Sequence, residues 1–284
     1  MSNYNCFIFF IMISLIPPQL VCAQGITIAA NPIIHSQYSK WEDKHDFTTP
    51  PDFSNMKAHR GEVELALLCM ALRRGGFTDQ INVTVVPNYS RALLSSKQGK
   101  TTMPAETVWD SEVDQNVFYR SVPILEEGSI ELGVYALPSN TSIMQVKTLA
   151  DLQRFTAVSS INWIKDWDTL KKMGIKAYDV PKQELMFRTV AAHRVDFLLT
   201  KFSAEPELEV YVEGVAFIAV PNIKVGLQGA RYFVVSKEAP NGKAVFDCLQ
   251  KGLGSLRDEG TVYSAYVESG FINEKVKNWK RIHP

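Results

Sequence analysis

The chain has 284 residues, 46% of them hydrophobic, and its 30 lysines and arginines cancel its 30 aspartates and glutamates. This balance excludes a large one-signed field, and with it the electrostatic case for nucleic acid or an anionic membrane surface as partner. The length suffices for one large domain or two modest lobes.

The first residues, "MSNYNCFIFFIMISLIPPQLVCAQG", contain no charged side chain and carry an apolar run from Cys6 to Ile16 that ends at Pro17-Pro18. The run is too short for a membrane span, and "VCA" after it is a small-residue cleavage pattern. Residues 1–23 therefore read as a secretory signal peptide cut after Ala23, which gives an exported, periplasmic mature chain. No other stretch is long and apolar enough to cross a bilayer, so no transmembrane segment is expected in the mature chain. Cys69 and Cys248 remain after cleavage. An oxidising compartment permits a bridge between them, and their apolar helical surroundings suit two buried thiols equally well.

Short apolar strands then alternate with helical patterns. "ITIAA" (26–30) reads as a strand, followed by a polar loop with His35, Tyr38 and Trp41. "GEVELALLCMALRRGG" (61–76) reads as a helix with acids in its first turn, arginines in its last and a Gly-Gly stop. Its middle is apolar nearly all round, which predicts burial. Strand "INVTVVP" and helix "NYSRALLSSKQGK" follow, then "TTMPAETVW" and "VFYRSVPIL". After the extended run "ELGVYALP" (131–138) come helix "TLADLQRF", strand "TAVSS", helix "WDTLKKMG", strand "KAYDVP", helix "KQELMFRTVAAHR" and strand "VDFLLT". "AEPELEVYVEG" reads as helical, "VAFIAVP" as a strand, and "ARYFVVSKE" (230–238) as a second long extended run before two closing helices. The alternation means α/β with mainly parallel strands. The two extended runs bracket a self-contained βα set, which predicts two lobes joined by paired strands with a cleft between them. The expected division is 24–132 with 228–284 as lobe 1 and 138–224 as lobe 2, with hinge strands at 131–137 and 229–235. The cleft is the default site, because ligands in open α/β sheets lie beyond the strands' carboxyl ends.

Nucleophile-elbow, zinc-protease, phosphate-loop and dinucleotide-binding signatures are missing, and no histidine pair has metal-ligand spacing. No cofactor and no metal are expected. On "NYSRALLSSKQGK", "RSVPI", "HRVDFLL" and the tail "GLGSLRDEGTVYSAYVESGF" the chain resembles the bacterial extracellular solute-binding proteins of family 3, over essentially the whole mature length. It is most similar to a transporter substrate-binding-like branch in which a Trp followed by an Asp opens a helix of the second lobe, as in "WIKDWDTLKKMG". The resemblance implies the type II periplasmic binding fold, a small-molecule ligand, a membrane importer or sensor as partner, and a monomer. It also implies an arginine after the third strand for a ligand carboxylate and an aspartate beyond "VD" for an amino group. Here "TVWDSEVDQN" has no arginine, and Lys201 falls where the aspartate would be. Both signs are changed, which speaks against an ordinary α-amino acid.

Nine residues are candidate ligand contacts. Trp163 reads as a cleft-wall indole at the end of "SSIN", where Ser160 and backbone N–H groups would be open to a ligand, whereas Trp167 reads as a packing residue. Asp166 reads as a helix N-cap. Arg91 opens a helix against the macrodipole, an unnatural place for a purely structural cation. Glu106, Trp109 and Asp110 end the third strand on the cleft side, and Lys201 ends a strand of the second lobe. Arg231 lies on the returning strand, facing either the cleft or a carboxylate such as Glu131. Asn31, just after the first strand, completes the set. The resulting expectation is a binding protein, not an enzyme, closing on a small polar or anionic solute held between Arg91 and Lys201. The rival readings are a lyase on the same fold, such as a small-acid dehydratase using Glu106 or Asp110, and an accessory envelope protein with a vestigial cleft.

Overall fold

In the computed structural model the structure describes residues 25–41, 47–56 and 60–282. The signal peptide read over 1–23 and its cleavage after Ala23 lie outside these residues. Among the described residues no helix is long and apolar enough to cross a membrane.

The first half is built from β1 (Ile26–Ala30), α1 (Pro32–Trp41), α2 (Arg60–Arg74), β2 (Ile81–Val85), α3 (Tyr89–Lys97), β3 (Met103–Pro104), β4 (Val108–Trp109) and β5 (Phe118–Leu125). The chain then forms β6 (Glu131–Ala136), α4 (Leu149–Leu152), β7 (Thr156–Ser159), α5 (Ile164–Lys172), β8 (Lys176–Asp179), α6 (Gln183–Ala191), β9 (Phe197–Lys201), β10 (Val210–Val212), β11 (Val215–Ala219) and β12 (Ile223–Gly226). It closes with β13 (Arg231–Ser236), α7 (Gly242–Asp258), α8 (Thr261–Glu268) and β14 (Lys280–Arg281).

Three sheets organise two lobes. The parallel sheet β2-β1-β3 and the antiparallel sheet β4-β13-β5 make the first, and they adjoin where Ser236 N–H donates to the Thr102 carbonyl at 2.9 Å. The 8-stranded sheet of the second lobe runs β10-β11-β6-β9-β7-β8, with β12 and β14 attached beside β6. Its central strands are buried on both faces. Along β6, Leu132, Val134 and Ala136 enter one apolar cluster while Tyr135 enters another, as the period of two requires.

Helix α2 lies within the first lobe's core, with every residue from Val63 to Leu72 buried. Its partner is α7, and the two backbones approach too closely for side chains at the crossing. A Cβ on Gly252 would lie 1.8 Å from the Ala71 carbonyl oxygen, and one on Gly75 1.8 Å from that of Cys248. Cys69 in α2 is buried and is not bridged to Cys248.

Several expectations are corrected. Residues 32–41 form α1 rather than a polar loop, begun by Asn31, whose Oδ1 accepts the N–H groups of Ile33 and Ile34 at 3.0 and 3.1 Å. The segment read as helical at 204–214 contains β10, which turns through Glu213 and Gly214, both at positive φ, into an antiparallel pairing with β11. The alternation of Val210, Tyr211 and Val212 is a strand's period, not a helix's. The crossings also shift. Strand β6 belongs to the second lobe's sheet and β13 to the first's, so the connections are residues 126–130 and 227–230. Nor does 228–284 stay in the first lobe: β14 pairs in parallel with β12, with Ile223 opposite Lys280, so the chain crosses a third time after α8.

The α2–α7 crossing yields a paired test. Gly252→Ala should destabilise the protein by about 2 kcal/mol or more through overpacking. Gly254→Ala, two residues on in the same helix with open space at its Cβ, should stabilise by about 0.5–1 kcal/mol through helix propensity. Urea denaturation midpoints read both signs.

Candidate functional site

A cavity of about 520 Å³ lies between the lobes. The first lobe contributes Arg60, Tyr89, Glu106, Trp109 and Glu112 to its wall, and the second contributes Asn162, Trp163, Lys165 and Asp166. Ile130 and Leu132 at one crossing and Leu227 at the other line it between them, with Arg231 beside them.

Its first-lobe wall rests on a buried charge network centred on Thr107. Arg231 is only 3% exposed; its Nε donates to Thr107 Oγ1 at 2.8 Å and its NH2 group to the Thr107 carbonyl. The Trp109 ring lies 4.6 Å and the Tyr89 ring 6.0 Å from its guanidinium carbon. Arg60 pairs with the fully buried Glu64 and donates to Thr107 Oγ1 at 3.2 Å. Thr107 answers through its hydroxyl to Glu64 Oε1 at 2.6 Å and its N–H to Glu64 Oε2 at 3.0 Å, while the Tyr266 hydroxyl donates to Oε1 at 3.1 Å. One hydroxyl thus uses its donor and both acceptor positions. Burial pushes the Glu64 carboxyl up, but Arg60, Arg231 and the Thr107 hydrogen bonds outweigh it and hold the group below its usual range.

Glu106, 5% exposed, is placed differently. Its hydrogen bond comes from Asn31 Nδ2 at 3.3 Å, and burial raises its pKa against the pull of Arg60. Asp166 faces the same cavity from the third residue of α5, and burial pushes it up to about 7. Each lobe therefore offers a carboxyl group that burial keeps from ionising readily. The lobes also touch. Lys165 Nζ reaches Asp110 Oδ1 at 3.2 Å and lies 5.2 Å from the Trp109 ring centre.

Among the expected contacts, Glu106, Trp109, Trp163 and Arg231 line the cavity. Arg231 does not pair with Glu131, which is bound by Lys224 at 2.7 Å and Arg281 at 2.6 Å. Asn31 stands behind Glu106, and Asp110 meets Lys165 at the cavity's edge. Ser160 is buried as a turn residue, and the N–H groups expected to be open are used: that of Ile161 by Asp179, those of Asn162 and Trp163 by Ser160. Trp163, not Asp166, occupies the N-cap of α5. Arg91 is exposed in the first turn of α3, outside the cavity wall. Lys201 lies in a separate hollow, 4.7 Å from the Phe271 ring centre. The two cations do not share a site: Lys201 lines that hollow, and Arg91 lines neither it nor the cleft cavity.

Arg60, Glu64, Thr107, Tyr89 and Lys165 are not among the residues the sequence points to, and Asp166 reads there as a cap rather than a site residue. One signal was present: Glu64 in a helix apolar nearly all round must be buried, and a buried carboxylate needs cationic or hydrogen-bonding partners.

The chain's likeness to known proteins lies in its fold. No protein-family model and no curated protein matches it. Among solved structures it is similar to the probable amino-acid ABC transporter extracellular-binding protein YtmK of Bacillus subtilis, at 15% identity and a TM-score of 0.59, over 89% of this chain and 99% of that one. It is similar to substrate-binding domain 2 of Lactococcus lactis GlnP in open conformation, at 15% identity and a TM-score of 0.54, over 88% and 96%. It is also similar to the periplasmic VFT2 domain of Bordetella pertussis BvgS, at 13% identity and a TM-score of 0.54, over 90% and 93%. The chain has the two-lobed α/β fold that these bacterial binding proteins share.

The carboxyl at 166 gives a pH test. A raised folded pKa means that the folded state holds a proton which the unfolded state releases near pH 3.9. Stability from this group is therefore greatest below that pH and is lost as pH rises through about 7. Asp166→Asn should match wild type in denaturant melts at pH 4 and exceed it by up to about 4 kcal/mol at pH 8.

Proposed function

We propose that the protein is an exported solute-binding protein that closes its two lobes on a small solute carrying an amine, with a carboxylate or other acceptor at its far end, and presents the closed form to a membrane importer or sensor. What carries this reading is the charge left over in the cavity after internal pairing. Arg60 is held by Glu64, Lys165 by Asp110, and Glu112 accepts the Tyr89 hydroxyl at 2.6 Å. Among the described residues no carboxylate is bonded to Arg231, which has hydrogen bonds and ring contacts, and neither Glu106 nor Asp166 has an ion pair. Both signs remain, Arg231 and Glu106 on the first-lobe side and Asp166 on the second, with the indoles of Trp109 and Trp163 in the same wall.

A solute bridging those walls favours the closed arrangement, since only that arrangement touches it from both lobes. The anionic solute expected between Arg91 and Lys201 has no support from their positions. An ammonium near Asp166 and Glu106 gains charge-assisted hydrogen bonds worth about 1.5–3 kcal/mol each. A carboxylate reaching Arg231 meets a guanidinium whose orientation is already fixed.

The test is calorimetric titration of the mature protein with a panel of amino acids, simple amines and carboxylates, with tryptophan fluorescence alongside. Because the ammonium must meet an ionised Asp166, affinity for the best amine-bearing solute should rise about tenfold per pH unit up to about 7 and level off above it. Asp166→Asn and Glu106→Gln should each weaken it by about one to two decades, and Trp163→Ala should remove most of the fluorescence change. Selective binding of carboxylates without an amine, tightening as pH falls, would refute the ligand class. Turnover of any panel member would refute a binding role and favour an enzyme.

A further inference from the structure

A second cavity of about 430 Å³ lies on the far side of the crossing strands. Side chains alternate across a strand, and the crossing shows it: Ile130 and Leu132 line the cleft, whereas Ser129 and Glu131 line the second cavity. On the return, Lys224 faces the second cavity and Leu227 the cleft. The remaining walls are the end of β5, the start of α8 and the segment after α8, so both lobes and the third crossing enclose it.

The charges around this cavity are paired within the protein. Glu131 is held by Lys224 and Arg281, Glu126 by Arg257 at 3.0 Å, and Glu274 by Lys277 at 3.5 Å and by the Tyr263 hydroxyl. What is left facing inward is apolar and aromatic, chiefly Ile124, Leu125, Val262, Ile272 and the rings of Tyr263 and Tyr266. Such a wall offers a charged solute no unpaired counter-ion, but it can bury a flat apolar one.

Tyr266 links this cavity to the cleft through Glu64 and Arg60. Its ring is part of the second cavity's wall, while its hydroxyl donates to Glu64, which holds Arg60 and Thr107 under the cleft. We infer that the second cavity is a binding site for an uncharged, planar aromatic small molecule, and that its occupancy is coupled to the cleft through the crossing strands and Tyr266. Since the cavities lie on opposite faces of the same strands, rotation that narrows one reshapes the other, and the coupling is reciprocal.

Indole is a suitable probe, used on the mature protein without any cleft solute, so the outcome is independent of the proposed amine ligand. NMR titration should show saturable binding with intermolecular NOEs to the methyl groups of Val262 and Ile272, and the side-chain N–H signals of Trp109 and Trp163 should move with it. Ser129→Trp, which fills the cavity from its rim, should weaken binding at least tenfold, and Trp163→Ala should leave it in place. Should Ser129→Trp not fold, the NOEs still locate the probe. No saturable binding, or NOEs to the cleft residues alone with binding lost in Trp163→Ala, overturns the site. NOEs at Val262 and Ile272 with motionless Trp109 and Trp163 signals overturn the coupling.

Discussion

The site depends on one hydroxyl group. Burying two guanidinium groups is costly unless each finds charge or acceptors within the protein, and Thr107 lets one carboxylate serve both. Its Oγ1 accepts from Arg60 and Arg231 while donating to Glu64, and its carbonyl takes a further Arg231 hydrogen bond. The groups come from α2, from the segment between β3 and β4, from β13 and from α8, so the network fixes these elements relative to one another. Without Glu64 the buried Arg231 and the part-buried Arg60 would, among the described residues, have no ionised partner bonded to their network. With it, Arg231 is held rigid beside the cleft and its charge is left unmatched by any carboxylate bonded to it.

The two walls differ in kind. The first-lobe wall is anchored by that network and by the close α2–α7 crossing. The second-lobe wall is the first turn of a short helix, where Trp163 caps without a side-chain hydrogen bond and Asp166 is held by burial rather than by a cation. Between them, among the described residues, stands one ion pair, Lys165 with Asp110, whose aspartate is 42% exposed. Pairs of this exposure contribute about 0–1 kcal/mol. A contact so weak can hold the lobes near one another without opposing a solute that offers several charge-assisted bonds.

The long elements were legible because period and length agree in them. Helix α2, the two closing helices and the strands around 156–159 and 197–201 follow directly from apolar spacing. Short pairings such as β3, β4 and β12 were not separately legible, since two to four residues carry no period; their pairing is set by partners distant in sequence. The site shows the same limit. Trp109, Glu106 and Arg231 could be found because a strand's end points to a cleft edge. Arg91 and Lys201 also end elements, yet face elsewhere, because sequence gives the end of an element but not the rotation of its last turn. Asp166 was misread for a local reason: an acid near a helix start fits a cap, and only packing reveals that the first turn begins three residues earlier.

The third crossing changes what closure can mean. Two connections alone would form a simple hinge, free to rotate about the line between them. Here the chain after α8 returns to the second lobe, where β14 pairs with β12 and Arg281 binds Glu131 and the Gly128 carbonyl at 2.8 Å. Lys224, only 5% exposed, anchors the return through the Val276 and Lys277 carbonyls at 2.9 and 3.0 Å while pairing with Glu131. A buried ammonium with its donors so engaged cannot slide without losing partners that water does not replace there. Rotation must therefore be taken up in residues 126–130, 227–230 and 269–273, and not by shear of β6, β12 and β14 past one another. That restriction places the cleft and the cavity behind it on opposite sides of one rigid three-strand unit, so the geometry of each is tied to the same small set of backbone angles.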